Sequence, residues 1–186
     1  MFYNMIPFIE KYRPNDINDI ILNKQNSNIF NYFIQTKMLP NLLFFGPPGT
    51  GKTSSVLALS KSIYKDKLKL MVLELNASDN RNIHVVRKII KEFASTQNLF
   101  SNGFKLVILD EVDSMTNDAQ FCLRRIMETY SKNIRFCFIC NYISKIIPAL
   151  KSRCSVFKFG KIDTLQIKKK IKNILKIEDI NISDQI

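Results

Sequence analysis

The chain has 186 residues, 46% of them hydrophobic, with 5 glycines and 6 prolines, which suits a folded domain with an ample core and excludes a low-complexity or collagen-like chain. Lys and Arg outnumber Asp and Glu by 28 to 16, a net charge of +12, and this points towards a polyanionic partner such as nucleic acid. No apolar run approaches a membrane-crossing length and the opening MFYNMIPFIEKYRP is not a signal peptide, so no membrane role is expected.

In chain order, Asn41-Leu42-Leu43-Phe44-Phe45 predicts a buried strand, followed by a loop over Gly46 to Thr53 and a helix to about Tyr64. Leu70 to Leu75 predicts a second strand. Ser78 and Asp79 can cap a helix running to about Ala94, with Ile83, Val86, Ile90 and Phe93 on its apolar face. Phe104 to Leu109 predicts a third strand, ending in Asp110-Glu111. Gln120 to Tyr130 reads as a helix, Arg135 to Cys140 as a fourth strand and Ser155 to Phe159 as a short fifth. Strands alternating with helices need crossover connections, so the fold class is α/β: a doubly wound parallel sheet flanked by helices over residues 1–160.

Gly160 marks a break. Beyond it Ile167, Ile171, Ile174 and Leu175 share one face of a predicted helix from Thr164 to Lys176. One amphipathic helix cannot build a core, so residues 161–186 are expected to be only the beginning of a second, helical domain. Cys137-Phe138-Ile139-Cys140 is formally a C-x-x-C, but residues three apart on a strand face opposite sides of the sheet. These cysteines are therefore expected to be apolar filler, and unpaired thiols suit the cytosol or nucleus.

Gly46-Pro47-Pro48-Gly49-Thr50-Gly51-Lys52-Thr53 fills the pattern G-x-x-x-x-G-K-[ST] between a strand and a helix. Its glycines let backbone N–H groups wrap a phosphate, and the helix N-terminus adds positive potential. Lys52 should reach the β- and γ-phosphates, and the Thr53 hydroxyl should ligate Mg²⁺. The run Leu106-Val107-Ile108-Leu109 delivers Asp110 and Glu111 to the end of a strand, where α/β sheets bind ligands. Asp110 can hold Mg²⁺ through water, and Glu111 can polarise an attacking water. Asn141 ends the fourth strand: either its amide reaches the γ-phosphate or the attacking water, or it is an ordinary turn residue. Arg153 has no acidic residue near it in sequence.

Taken together, GPPGTGKTS, LVILDEVD, ICNYISKIIPALKSRC and FIEKYRP resemble the AAA+ clamp-loader ATPases, in particular the small subunits of replication factor C. ELNASDNR resembles the block before that family's fourth helix, and QFCLRRIME its central helix. The resemblance runs from about Pro7 to Phe159 and implies the P-loop NTPase (AAA+) version of the fold, with residues 161–186 opening a lid domain. It implies ATP or ADP with Mg²⁺ as cofactors, and a nuclear subunit that binds and hydrolyses ATP. Its partners would be other replication factor C subunits in a hetero-pentamer, the sliding clamp, and the primer–template DNA onto which the clamp is loaded.

By the same resemblance, Ile9 and Ile21 flank the adenine near Tyr12 and Arg13. Gly46, Pro47, Pro48, Gly49, Thr50, Gly51, Lys52, Thr53 and Ser54 hold the phosphates, and Asn141 is the sensor of the γ-phosphate. Arg153, in the family's S-R-C motif, becomes an arginine finger acting in trans on a neighbouring subunit. Arg81, Arg87 and Lys145 match positions that track the DNA backbone. Arg124 and Arg125 either couple DNA to Glu111 or make structural pairs, and Leu99, Phe100 and Phe104 either touch the clamp or pack in the core. Two departures are Asp110-Glu111-Val112-Asp113 where the family reads DEAD, and Phe8 where it has Trp. The family's second sensor arginine and helical collar have no counterpart here, so weak hydrolysis by the chain alone is expected. The alternatives are another DNA-linked AAA+ ATPase (a helicase loader or branch-migration motor), or a scaffold with structural nucleotide, against which the intact Glu111 speaks.

Overall fold

The computed structural model describes residue 7 and residues 11–14, 16–78, 83–96 and 103–180. Among these, strands β1 (Leu42–Phe45), β2 (Val72–Asn76), β3 (Lys105–Asp110), β4 (Ile134–Cys140) and β5 (Ser155–Lys158) form one sheet in the order β2-β3-β4-β1-β5. Each neighbouring pair is parallel. The chain is thus the doubly wound α/β fold that the alternation of elements predicts.

The period of two along the strands divides the core into two layers. Leu43, Val107, Leu109, Phe136 and Phe138 face one side, against α4 (Ile83–Ser95) and α5 (Asn117–Thr129). Leu42, Phe44, Leu106 and Ile108 face the other, against α1 (Lys24–Thr36) and α2 (Lys52–Tyr64). Cys137 belongs to the second layer and Cys140 to the first, as the C-x-x-C spacing on a strand requires. All four cysteines are free, and burial pushes the Cys140 thiol up to about 12.

Helix α1 has no counterpart among the elements predicted from the sequence. Asn23 caps it, its side-chain oxygen accepting the Asn26 N–H at 2.7 Å, and Phe30 and Phe33 anchor it. Phe30 is fully buried, with ring centroids 5.4 Å from Phe44 and 5.2 Å from Phe157. Phe30→Ala should therefore destabilise the fold by about 3–5 kcal/mol, through lost transfer energy and the cavity left behind. A urea titration would measure this, and a change below about 1 kcal/mol would contradict the packing.

Two boundaries differ from expectation. Leu70 and Met71 lie in a short helix, α3 (Leu68–Met71), and β2 starts only at Val72, where Leu106 of β3 first supplies a partner. Helix α5 starts before Gln120 because the Thr116 hydroxyl caps it, accepting the Ala119 N–H at 3.3 Å. The Ser78 hydroxyl donates to the Asn76 side chain at 2.9 Å, and Asp79, the other expected cap, lies outside the described residues.

Helix α6 (Pro148–Lys151) precedes β5, and α7 (Thr164–Ile177) follows it. Asp163 caps α7, accepting the Leu165 N–H at 3.2 Å. Polar ties join it to the body of the protein: Lys170 donates to the Asp19 carbonyl at 2.7 Å, and Glu178, which caps its C-terminus, accepts from Lys11 and Tyr12. Of its predicted apolar face, Ile174 and Leu175 are half-buried while Ile167 and Ile171 are exposed. Among the described residues no helix is long and apolar enough to cross a membrane.

Candidate active site

Strands β3, β4 and β1 lie side by side, and their C-terminal ends bring Asp110, Asn141 and the loop starting at Gly46 to one edge of the sheet. The loop is held tightly. Gly46 has φ 150°, and a Cβ there would sit 2.1 Å from the Phe159 carbonyl oxygen, so no other residue fits. Gly51 takes φ 84° to start α2, aiming the first N–H groups of that helix at the loop. The Thr50 hydroxyl donates to the Pro47 carbonyl at 2.8 Å and closes the turn over Pro48 and Gly49.

Lys52 is buried at the start of α2, and its ammonium uses all three protons. It donates to the Gly46 carbonyl at 2.8 Å, the Pro47 carbonyl at 2.9 Å and the Asn141 side-chain oxygen at 2.8 Å. Burial pulls its pKa below the ordinary lysine value, and the Asp110 carboxylate opposes that shift. Next to it, the Thr53 hydroxyl donates to Asp110 Oδ2 at 2.7 Å. The other oxygen of Asp110 accepts the Glu111 N–H at 2.8 Å. Glu111 is exposed and stands just past β3 in a left-handed conformation, φ 56° and ψ 38°. Ser54 is half-buried on the first turn of α2. A hydroxyl and a carboxylate, both hard oxygen donors, fit Mg²⁺, an ion that leaves its remaining positions to water and phosphate.

Beside the loop, Tyr12, Arg13, Ile21 and Lys170 line a cavity of about 770 Å³ against α7. A second, of about 590 Å³, is lined by Ile21, Thr50, Lys158 and Gln166 among others. Ile9 lies outside the described residues, as do Arg81, Leu99, Phe100 and Phe8. Phe104 is half-buried and packs on the core, with the Arg135 guanidinium 4.8 Å above its ring. Arg87 is exposed on α4 and Lys145 on the turn after β4, its ammonium 5.3 Å above the Tyr142 ring.

Arg153 is not with the other site residues. Its carbonyl accepts from Asn41, which precedes β1, so it sits at the N-terminal edge of the sheet, opposite Gly46. The four residues of β1 separate Asn41 from Gly46, five steps along the strand or roughly 16 Å. The acid missing from its sequence neighbourhood is supplied by α5: Glu128 pairs with Arg153 at 2.8 Å and with Arg124 at 3.8 Å. Arg125 is exposed.

Two residues carry structural work that the sequence motifs do not assign to them. Asp113 Oδ2 accepts the N–H groups of Asn141 at 3.1 Å and Tyr142 at 3.0 Å. Gln120, fully buried on α5, donates to the Lys145 carbonyl at 2.9 Å and accepts the Ile147 N–H at 2.9 Å. The one sequence signal for Gln120 is its place on the helix face of Ala119, Leu123 and Met127, where an apolar residue would be expected.

The phosphate loop, the strand-end carboxylates and the order of the parallel sheet define a nucleotide-binding P-loop protein. Residues 42–160 match the family described as "ATPase family associated with various cellular activities (AAA)", and the chain belongs to that family. More particularly, it is 51% identical over 180 residues to replication factor C subunit 5 of Homo sapiens, covering 96% of this chain and 53% of that protein. Against replication factor C subunit 3 of Saccharomyces cerevisiae the identity is 49%, over 96% of this chain and 52% of the relative. The chain spans about half the length of the curated relatives it matches.

Among solved structures, the Thermotoga maritima RuvB Holliday junction branch migration motor superposes with a TM-score of 0.73 at 15% identity, over 92% of this chain and 56% of that one. The Aeropyrum pernix ORC1 protein, solved in complex with DNA, gives 0.67 at 17% identity, over 89% and 51%. At such identities these two share the fold.

Proposed function

We propose that the chain binds ATP with Mg²⁺ and hydrolyses it as a small subunit of a replication factor C clamp loader. In this reading residues 1–160 are the nucleotide-binding core and residues 161–186 open the lid domain. The subunit joins other replication factor C subunits in a hetero-pentamer in the nucleus, which loads a sliding clamp onto primer–template DNA. The observation that carries the proposal is the hydrogen-bonded row Asn141–Lys52 and Thr53–Asp110, standing on a phosphate loop in a chain half identical to replication factor C subunits.

The roles follow from the positions. Backbone N–H groups from Gly49 to Ser54 and the α2 terminus receive the phosphates. Lys52 exchanges its contacts with the loop carbonyls and Asn141 for the β- and γ-phosphate oxygens. Asn141, released from Lys52, turns its amide to the γ-phosphate. Thr53 and Asp110 hold Mg²⁺, which when bound neutralises charge on the β- and γ-oxygens. Glu111 polarises the attacking water. Ile9, Ile21, Tyr12 and Arg13 enclose the base. Arg153 completes the neighbouring subunit's site, and its place at the far edge of its own sheet favours that direction. Arg81, Arg87 and Lys145 neutralise DNA phosphates, a contact that is sequence-independent and weakens with salt.

The test is to assemble this chain with the other four subunits of such a loader and measure ATP hydrolysis with and without clamp and primer–template DNA. Stimulation by the two together is the expected result. Stimulation by branched DNA regardless of the clamp would identify a branch-migration motor and overturn the proposal.

A further inference from the structure

Beyond Cys140 the sheet supplies no more acceptors: β1 pairs with β4 only as far as Phe45 and Cys140. The next two N–H groups, of Asn141 and Tyr142, both go to one carboxylate oxygen of Asp113, at 3.1 and 3.0 Å. Asp113 stands in a single 3-10 turn, Val112–Ser114, that begins on Glu111 and is closed by the Ser114 N–H donating to the Glu111 carbonyl at 2.9 Å. Val112 is fully buried, so the turn is fastened to the core. One rigid turn therefore carries both Glu111 and the anchor of Asn141.

Two consecutive N–H groups on one oxygen fix the peptide planes on either side of Asn141, and so the direction in which its side chain leaves the strand. That side chain reaches the Lys52 ammonium at 2.8 Å. We propose that Asp113 is a positioning residue of the nucleotide site: it seats the Asn141 amide where the γ-phosphate is read and locks that seat to the turn bearing Glu111. The inference rests on the nucleotide-site reading above and adds a residue to it. The negative charge of Asp113 also helps Lys52 stay protonated against burial, a smaller influence than that of Asp110.

The experiment is a fluorescence titration of ATP and ADP, each with Mg²⁺, against the wild-type chain, Asp113→Ala, Asp113→Asn, Asn141→Ala and the Asp113→Ala/Asn141→Ala double variant. Asn141→Ala should lower the preference for ATP over ADP by roughly tenfold, the worth of one charge-assisted hydrogen bond. Asp113→Ala should lower it by a similar factor with ADP affinity unchanged, and the double variant should lose nothing more. Asp113→Asn keeps an oxygen acceptor without the charge; its expected loss of about threefold decides the matter if the alanine variant does not fold. A residue that merely holds the loop together would weaken ATP and ADP alike and add its effect to that of Asn141→Ala. That outcome, or an unchanged preference in the folded Asp113 variants, overturns the proposal. A wild-type chain that binds neither nucleotide overturns the site reading itself, and this inference with it.

Discussion

Replacing Lys52 with alanine is expected to abolish measurable MgATP binding. The ammonium is buried and serves as the central knot of the site, joining the Gly46 and Pro47 carbonyls to Asn141. In the proposed nucleotide complex it would make charge-assisted bonds to two phosphates, each worth about 1.5–3 kcal/mol. Losing both lowers affinity by roughly 10²–10⁴-fold. The truncation also leaves the loop carbonyls without their donor, so the cradle itself loses its shape. Isothermal titration of the folded variant, checked by circular dichroism, measures the effect. An affinity equal to that of the wild type would refute the phosphate-loop assignment.

Arg153→Ala should act on a different subunit. The residue lies at the opposite sheet edge from its own phosphate loop, so the chain's own ATP affinity should stay as it was. Hydrolysis by the assembled complex should fall by about 10³-fold or more at the site that Arg153 enters, as expected when a guanidinium no longer meets the charge developing on the γ-phosphate. The fold should hardly notice, because the ion pair with Glu128 is between side chains 39% and 45% exposed, and such pairs contribute about 0–1 kcal/mol. Single-turnover hydrolysis by complexes carrying wild-type or variant subunit measures the difference. Equal rates would remove Arg153 from the chemistry.

The parts of the molecule that were legible in the sequence are those whose physics is local. Leu106 to Leu109 is apolar throughout because a parallel strand is covered on both faces, and the glycines around Lys52 announce a close turn. Helix α1 escaped notice because KQNSNIFNYFIQT is mostly polar and is held by tertiary burial of Phe30 and Phe33. Leu70 and Met71 read as strand by composition, but the sheet offers them no partner. Asp113, Gln120 and Glu128 act through space on residues 25 or more positions away, so no window along the chain contains both ends of their interactions.

The contact between Gly46 and the Phe159 carbonyl has a mechanical consequence. Phe159 is buried and bonded to the end of β1, its N–H donating to the Phe45 carbonyl at 2.8 Å; Gly160, one peptide on, has open space around it. The fulcrum of the helix that follows is therefore welded, backbone to backbone, to the first residue of the cradle. Strain from a guest in that cradle would arrive at the root of the lever directly, with no slack for intervening side chains to absorb.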